Sequence, residues 1–186
     1  MRMDNHTFSK IQAMKSGESY CIDNNLLEMQ QECANALIEI NQLPLNSQRR
    51  NDILTSLFAN YGKGNIIKNG FQCNYGFNIS IGNNCYFNYN LVILDSFEVY
   101  IGNNVFIAPN VVISPVTHPL QAEDRRQLIG GKIIIEDDVW IGANSVILPN
   151  VTIRRKSVIG AGAVVTHDTE ESSLYIGSPA RFVKHL

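Results

Sequence analysis

The sequence predicts a mainly β chain, a left-handed parallel β-helix of six-residue repeats carrying an N-terminal α-helical cap. An unbroken apolar series runs at steps of six through Ile135, Ile141, Ile147, Ile153, Ile159 and Val165. Two shorter series keep the same step, Ile101, Ile107, Ile113 and Ile81, Phe87, Ile93. Against a background of 45% apolar residues, twelve apolar positions out of twelve arise on the order of once in ten thousand draws, so chance is the weaker explanation. A second column, four residues further on, is also small or apolar at Cys85, Leu91, Val105, Val111, Val139, Ser145, Val151, Ser157 and Ala163. The third observation is a change of rhythm, because the first sixty or so residues step by three and four instead.

That opening segment reads as helices. Residues 1–16 have room for a short one. Leu26, Met29, Cys33, Leu37 and Ile40 form the stripe of an amphipathic helix. A turn at Leu43-Pro44-Leu45-Asn46 follows, with Asn46 or Ser47 available as N-cap. Ile53, Leu54, Leu57, Phe58 and Tyr61 form a second helical stripe, and Gly62-Lys63-Gly64 ends the region. The expected organisation is a cap over 1–62 and a β-helix over 63–186, of roughly five coils, closed by a short C-terminal segment.

From about Gly76 onward, three short strands make one triangular coil, and the aliphatic residue of each hexad points into the prism. Coils stack at about 4.8 Å, so each backbone group finds a partner above or below. Corners need residues that tolerate unusual backbone angles, and Gly82-Asn83-Asn84, Gly102-Asn103-Asn104 and Asp137-Asp138 supply them. The left-handed crossover runs against the usual rule for parallel strands, so the repeat itself must specify it. The rhythm breaks twice. Between Ile93 and Ile101 the step is eight, which places about two extra residues near 95–99. Between Ile113 and Ile135 it is twenty-two, leaving an extended loop near 114–132 that contains His118. Long loops on a compact repeat tend to carry function.

Composition narrows the function classes. A net charge of -2 with 17% charged residues offers no general attraction for nucleic acid or an anionic membrane. No apolar run approaches membrane-spanning length and residues 1–10 hold no signal core, so the expected compartment is the cytoplasm. Cys21, Cys33, Cys73 and Cys85 form no C-x-x-C pair and read as reduced, mostly buried thiols rather than zinc ligands.

Several motifs go beyond the bare repeat: Lys15-Ser16-Gly17-Glu18, Asn74-Tyr75-Gly76, Asn88-Tyr89-Asn90 with Leu94-Asp95, and Ala108-Pro109-Asn110-Val111. Thr117-His118-Pro119, Val139-Trp140-Ile141-Gly142, Val158-Ile159-Gly160-Ala161-Gly162 and Gly177-Ser178-Pro179-Ala180-Arg181 continue the set. On these residues the chain resembles, over nearly its whole length, the maltose and galactoside O-acetyltransferase branch of the hexapeptide-repeat acyltransferases. The resemblance implies transfer of acetyl from acetyl-coenzyme A to a hydroxyl by direct attack, with no acetyl-enzyme intermediate and no metal. His118 would be the general base, since a neutral imidazole, titrating near 6.5 when unperturbed, can take the alcohol proton at neutral pH. His6, His167 and His185 lack such a context and read as surface residues.

On the acceptor side the resemblance assigns Asn88 to positioning the hydroxyl and stabilising the transition state, and places Asn74, Tyr86 and Asp95 beside the acceptor. Asn88 also suits a plain corner, and Asp95 also suits capping the turn where it lies. Ser96 and Gln30 stand where the galactoside enzyme uses an aspartate and an arginine, which puts galactoside specificity in doubt. On the coenzyme side, Trp140 would wall the acetyl channel and the Ala143 N–H would face the thioester oxygen. Ala161 and Thr166 would touch the pantetheine arm and adenine end, and Arg181 and Lys184 would lie near the phosphates. Arg154-Arg155-Lys156 is either a further phosphate contact or a solvated corner. The implied assembly is a homotrimer with active sites between neighbours. Rival readings are a γ-class carbonic anhydrase, for which the histidines are too few, an antibiotic acetyltransferase, and a non-catalytic binding protein on the same fold.

Overall fold

The structure is a computed structural model and describes residues 5–186. The cap comprises α1 (Asn5–Ser16), a two-residue strand β1 (Tyr20–Cys21), α2 (Asn24–Gln42) and α3 (Gln48–Leu57). The helix expected over 1–16 is present over 5–16; residues 1–4 and the side chain of His6 lie outside what is described. Asp23 starts α2 by accepting the Leu26 N–H at 3.0 Å, and Leu26, Cys33, Leu37 and Ile40 are its buried face. Ser47 caps α3 by accepting the Arg50 N–H, as expected. Phe58 and Tyr61 depart from the helical stripe. α3 stops at Leu57, and Phe58 is its extended C-cap. Tyr61 is already in a ladder opposite Ile81, because the first coil of the β-helix claims its backbone.

The first coil holds β2 (Asn60–Tyr61), β3 (Ile66–Ile67) and β4 (Gln72–Cys73). The second holds β5 (Ile79–Ile81), β6 (Tyr86–Phe87) and β7 (Val92–Ile93), and the third β8 (Val99–Ile101), β9 (Phe106–Ile107) and β10 (Val112–Ile113). A hairpin of β11 (Val116–Thr117) and β12 (Gln127–Gly130) then leaves the prism. β13 (Ile133–Ile135), β14 (Trp140–Ile141) and β15 (Val146–Ile147) form the fourth coil, and β16 (Thr152–Ile153), β17 (Val158–Ile159) and β18 (Val164–Val165) the fifth. β19 (Ser173–Ile176) begins a sixth, and β20 (Arg181–His185) folds back antiparallel on it.

These strands stack into three parallel faces of a left-handed β-helix. Face one is β2-β5-β8-β13-β16, face two β3-β6-β9-β14-β17-β19, and face three β4-β7-β10-β15-β18. All twelve hexad residues point inward and are at most 3% exposed, and the companion column is buried with them. The two buried serines of that column stay satisfied: Ser145 Oγ donates to Gly160 O at 3.0 Å and Ser157 Oγ to Glu170 O at 2.6 Å. Corners turn through the left-handed region at Asn84, Asn90, Asn104, Asn110, Asp138, Asn144 and Asn150, with φ between 55° and 63°. Asparagine tolerates that region and also donates along the stack, Asn90 to Asn110 and Asn110 to Asn144.

The long interruption is therefore ordered. β1 adds to β12 as a third antiparallel strand, so the cap and the hairpin share one small sheet. Beneath it lies a second core of Ala13, Met14, Tyr20, Leu26, Tyr75, Phe97 and Leu128. The four cysteines are free; Cys33 and Cys85 are buried, Cys73 is half-buried, and Cys21 is exposed, against the expectation for that one. Among the described residues no helix is long and apolar enough to cross a membrane.

Candidate active site

The prism sorts the candidate residues by corner. Between faces two and three, Asn88, Ala108, Gly142 and Gly160 stack in one row, tied by Asn88 N–H to Ile107 O, Ala108 N–H to Ile141 O and Gly142 N–H to Ile159 O. Ala143 and Ala161 sit one residue along, on the next row. The row is tight: a Cβ on Gly142 would lie 2.5 Å from the Ala161 nitrogen, so only glycine lets the two turns approach. None of the described residues accepts the Ala143 N–H. Asn88 Oδ1 accepts the Tyr89 N–H at 2.9 Å, which leaves the Asn88 amide N–H2 as the donor side of this half-buried residue.

Trp140 lies on the outer side of face two and is 54% exposed. By register it continues a stripe from Ile66 through Tyr86 and Phe106 to Val158. Phe106 is 53% exposed and Ile66 44%. Lys68 Nζ sits 5.9 Å from the Tyr86 ring centre and 5.8 Å from that of Tyr89. Single exposed apolar residues are ordinary, but a continuous aromatic stripe is the mark of a surface covered by something else.

His118 follows β11, on the hairpin that leaves the corner between faces three and one. Its side chain is exposed, and Nδ1 lies 3.1 Å from Gln127 O. A carbonyl can only accept, so this contact selects the tautomer with the proton on Nδ1 and leaves the Nε2 lone pair free as a base. The whole of face three separates this corner from Asn88 and Ala143. A single chain therefore does not bring His118 together with the corner that carries Asn88.

Beside the hairpin, Asn74, Asp95 and Ser96 do cluster. Asp95 Oδ1 accepts the N–H groups of Asn74 at 2.8 Å and Tyr75 at 2.9 Å. Asn74 Nδ2 donates to Ser96 Oγ at 3.2 Å, and Gln30 Nε2 to the Tyr75 hydroxyl at 3.0 Å. Asp95 was expected against the acceptor, yet it is 0% exposed, so its carboxylate shapes the turn from within. Burial raises its pKa to about 6 despite those backbone donors. Tyr86 is half-buried on the outer side of face two, with Trp140 and away from Asn74.

At the C-terminal end, Thr166 is half-buried with its hydroxyl 2.8 Å from His167 Nδ1, and Arg181 and Lys184 are exposed on β20. His167 and His185 are also exposed. Arg154 and Arg155 lie at the other corner, between faces one and two. They are paired with Glu136 at 2.9 Å and Glu171 at 2.7 Å, which favours the solvated-corner reading over a phosphate contact. Sequence reasoning missed Tyr20, Gln127, Asn78 and Phe97. Two-residue strands carry no period, and only the closeness of Tyr20 to the Gly17-Glu18 motif pointed to it.

Comparison with known proteins places these features in a family. The maltose acetyltransferase hexapeptide capping motif matches residues 13–62, and the bacterial transferase hexapeptide (six repeats) matches residues 132–167. The galactoside O-acetyltransferase of Escherichia coli is 39% identical over 145 residues, covering 77% of this chain and 71% of its own length. A maltose O-acetyltransferase from Clostridium difficile superposes with a TM-score of 0.89 at 35% identity, covering 95% of this chain and 97% of that one. A hexapeptide-repeat acetyltransferase of Vibrio cholerae, solved with acetyl coenzyme A, gives 0.88 at 33% identity, covering 95% and 98%.

Proposed function

Since the chain belongs to the hexapeptide-repeat acyltransferases, in the branch of the maltose and galactoside O-acetyltransferases, we propose that it acetylates a hydroxyl of a sugar or sugar-like molecule from acetyl-coenzyme A with His118 as general base. The observation that carries this reading is the Nδ1 contact of His118 to Gln127 O, which leaves Nε2 unengaged on an exposed hairpin. In the reaction, the acceptor O–H gives its proton to Nε2 while its oxygen forms a bond to the thioester carbon. The tetrahedral oxyanion is stabilised by the unpartnered Ala143 N–H, and Asn88 holds the hydroxyl through its amide. Collapse breaks the C–S bond, and the imidazolium returns the proton to the departing thiolate. Trp140 walls the channel, Ala161 and Thr166 line the pantetheine path, and Arg181 and Lys184 serve the phosphates.

The site is completed by a second copy of the chain. His118 from one subunit meets Asn88, Trp140 and Ala143 of its neighbour, and three such junctions close a homotrimer. The exposed aromatic stripe on face two supports this, because assembly would cover it. Asn74 and Gln30, both half-buried, supply uncharged polar groups near the hairpin. They favour a neutral, hydroxyl-rich acceptor over one that needs ionic recognition. A cytoplasmic enzyme is the consistent setting.

The test is thiol release from acetyl-coenzyme A against a panel of sugars and hydroxylated antibiotics, with wild type and His118→Ala. The variant should lose about a hundredfold to ten-thousandfold in kcat, with coenzyme binding little changed. Near-normal turnover by His118→Ala would refute the assignment of the base.

A further inference from the structure

We infer that Tyr20, on the cap strand β1, is a positioning residue that holds the His118 hairpin in its working geometry. The inference rests on the reading of His118 as the base. His118 is oriented by one visible contact, Nδ1 to the carbonyl of Gln127. The direction of that carbonyl is set by β12, the middle strand of a three-stranded sheet. On one side β12 pairs with β11, which has only two residues and leads straight into His118. On the other it pairs with β1, Tyr20 opposite Leu128 and Cys21 opposite Gln127. A hairpin on so short a pairing is marginal by itself, and a third strand is what gives such a ribbon stability of its own.

Among the described residues, the Tyr20 side chain ties strand β1 to the β-helix. The Tyr20 hydroxyl donates to Ser96 O at 3.0 Å, across a sequence distance of 76 residues. The ring packs edge-on against Phe97, centroids 5.8 Å apart, in the core that also holds Tyr75 and Leu128. Burial pushes the phenol up to about 12, so it stays a neutral donor at any pH where the protein works. At the far end of β12, Gly130 pairs with Val116, and a Cβ there would run into Pro115 O and the Phe97 ring, so the strand passes close over the same platform. A continuous path therefore runs from Ser96 through Tyr20 and β12 to the imidazole. Tyr20 itself is 6% exposed, with its hydroxyl turned to Ser96 O inside the protein, so its effect is on geometry. An ångström of displacement at a general base is enough to slow transfer severely.

Tyr20→Phe keeps the ring and removes the anchor, leaving Ser96 O without its buried donor. The expected result is a fall in kcat of about tenfold, with KM for acetyl-coenzyme A unchanged within about twofold. Amide exchange across residues 127–130 should quicken in the variant. Combining it with His118→Ala distinguishes positioning from general damage, because a residue acting through His118 has nothing left to position. Tyr20→Phe should then lower the residual rate no further. An unchanged kcat in the single variant, or the same tenfold loss on both backgrounds, would overturn the inference while leaving the base assignment intact. If His118→Ala itself keeps normal turnover, the base assignment fails and this inference fails with it.

Discussion

Asp95 is fully buried, and Oδ2 finds no donor among the described residues. Asn78 Oδ1 is a second buried acceptor in the same state, and Asn78 Nδ2 donates to the Asp95 backbone carbonyl at 2.8 Å. Two orphan acceptors in one small region are expensive when one is ionised. The folded pKa of about 6 lies above the ordinary 3.8, so between these values the native state binds more protons than the unfolded chain. Stability therefore falls as pH rises through that window, and the penalty is complete above about 6. Asp95→Asn keeps an acceptor for Asn74 and Tyr75, removes the charge and adds a donor. At pH 8 it should be more stable than wild type by on the order of 2 kcal/mol, and the gain should vanish near pH 4. Thermal melts across that range check this; a variant less stable at pH 8 would mean that the ionised carboxylate is favourable. His118 was legible in the sequence because Thr117 and Pro119 frame it at the one long break in the repeat. The burial of Asp95 was not, since a carboxylate in a two-residue insertion reads as surface by default.

At the scale of elements, a hexad position must be apolar in every coil, and that made coils two to five readable from the sequence. The first coil escaped because its inward residues, Tyr61, Ile67 and Cys73, are framed by Lys63, Asn65, Lys68 and Asn69 and carry the cap helices beside them. The hairpin escaped for a different reason. Its strands have two and four residues, and its pairing with β1 joins positions about a hundred apart, so no local pattern records it. The inward positions also set the tolerance of the fold. Ile147 is 0% exposed between Ile113 and Val165 on face three. Ile147→Asp would place an unpaired charge between stacked layers and should abolish cooperative folding, read as loss of the melting transition by circular dichroism. A melt like that of wild type would mean that the residue does not face the prism interior.

For the whole molecule, the corner geometry keeps the proposed base and the proposed acceptor-side asparagine apart within one chain. His118 and Asn88 lie on different edges of the prism, a full face apart, while the stripe of Ile66, Phe106 and Trp140 is left facing outward. Sharing the site between copies accounts for both facts at once, and it is the central claim of the proposed mechanism. The most direct measurement is complementation between two inactive variants, His118→Ala and Asn88→Ala, unfolded together at equal amounts and refolded into mixed oligomers. A junction that takes His118 from an Asn88→Ala subunit and Asn88 from a His118→Ala subunit is wild type in every contributing residue. Random mixing makes about one junction in four of this kind, so the mixture should regain about a quarter of wild-type activity, although each variant refolded alone stays inactive. Mixed oligomers that form and yet remain as inactive as the separate variants would contradict the shared site.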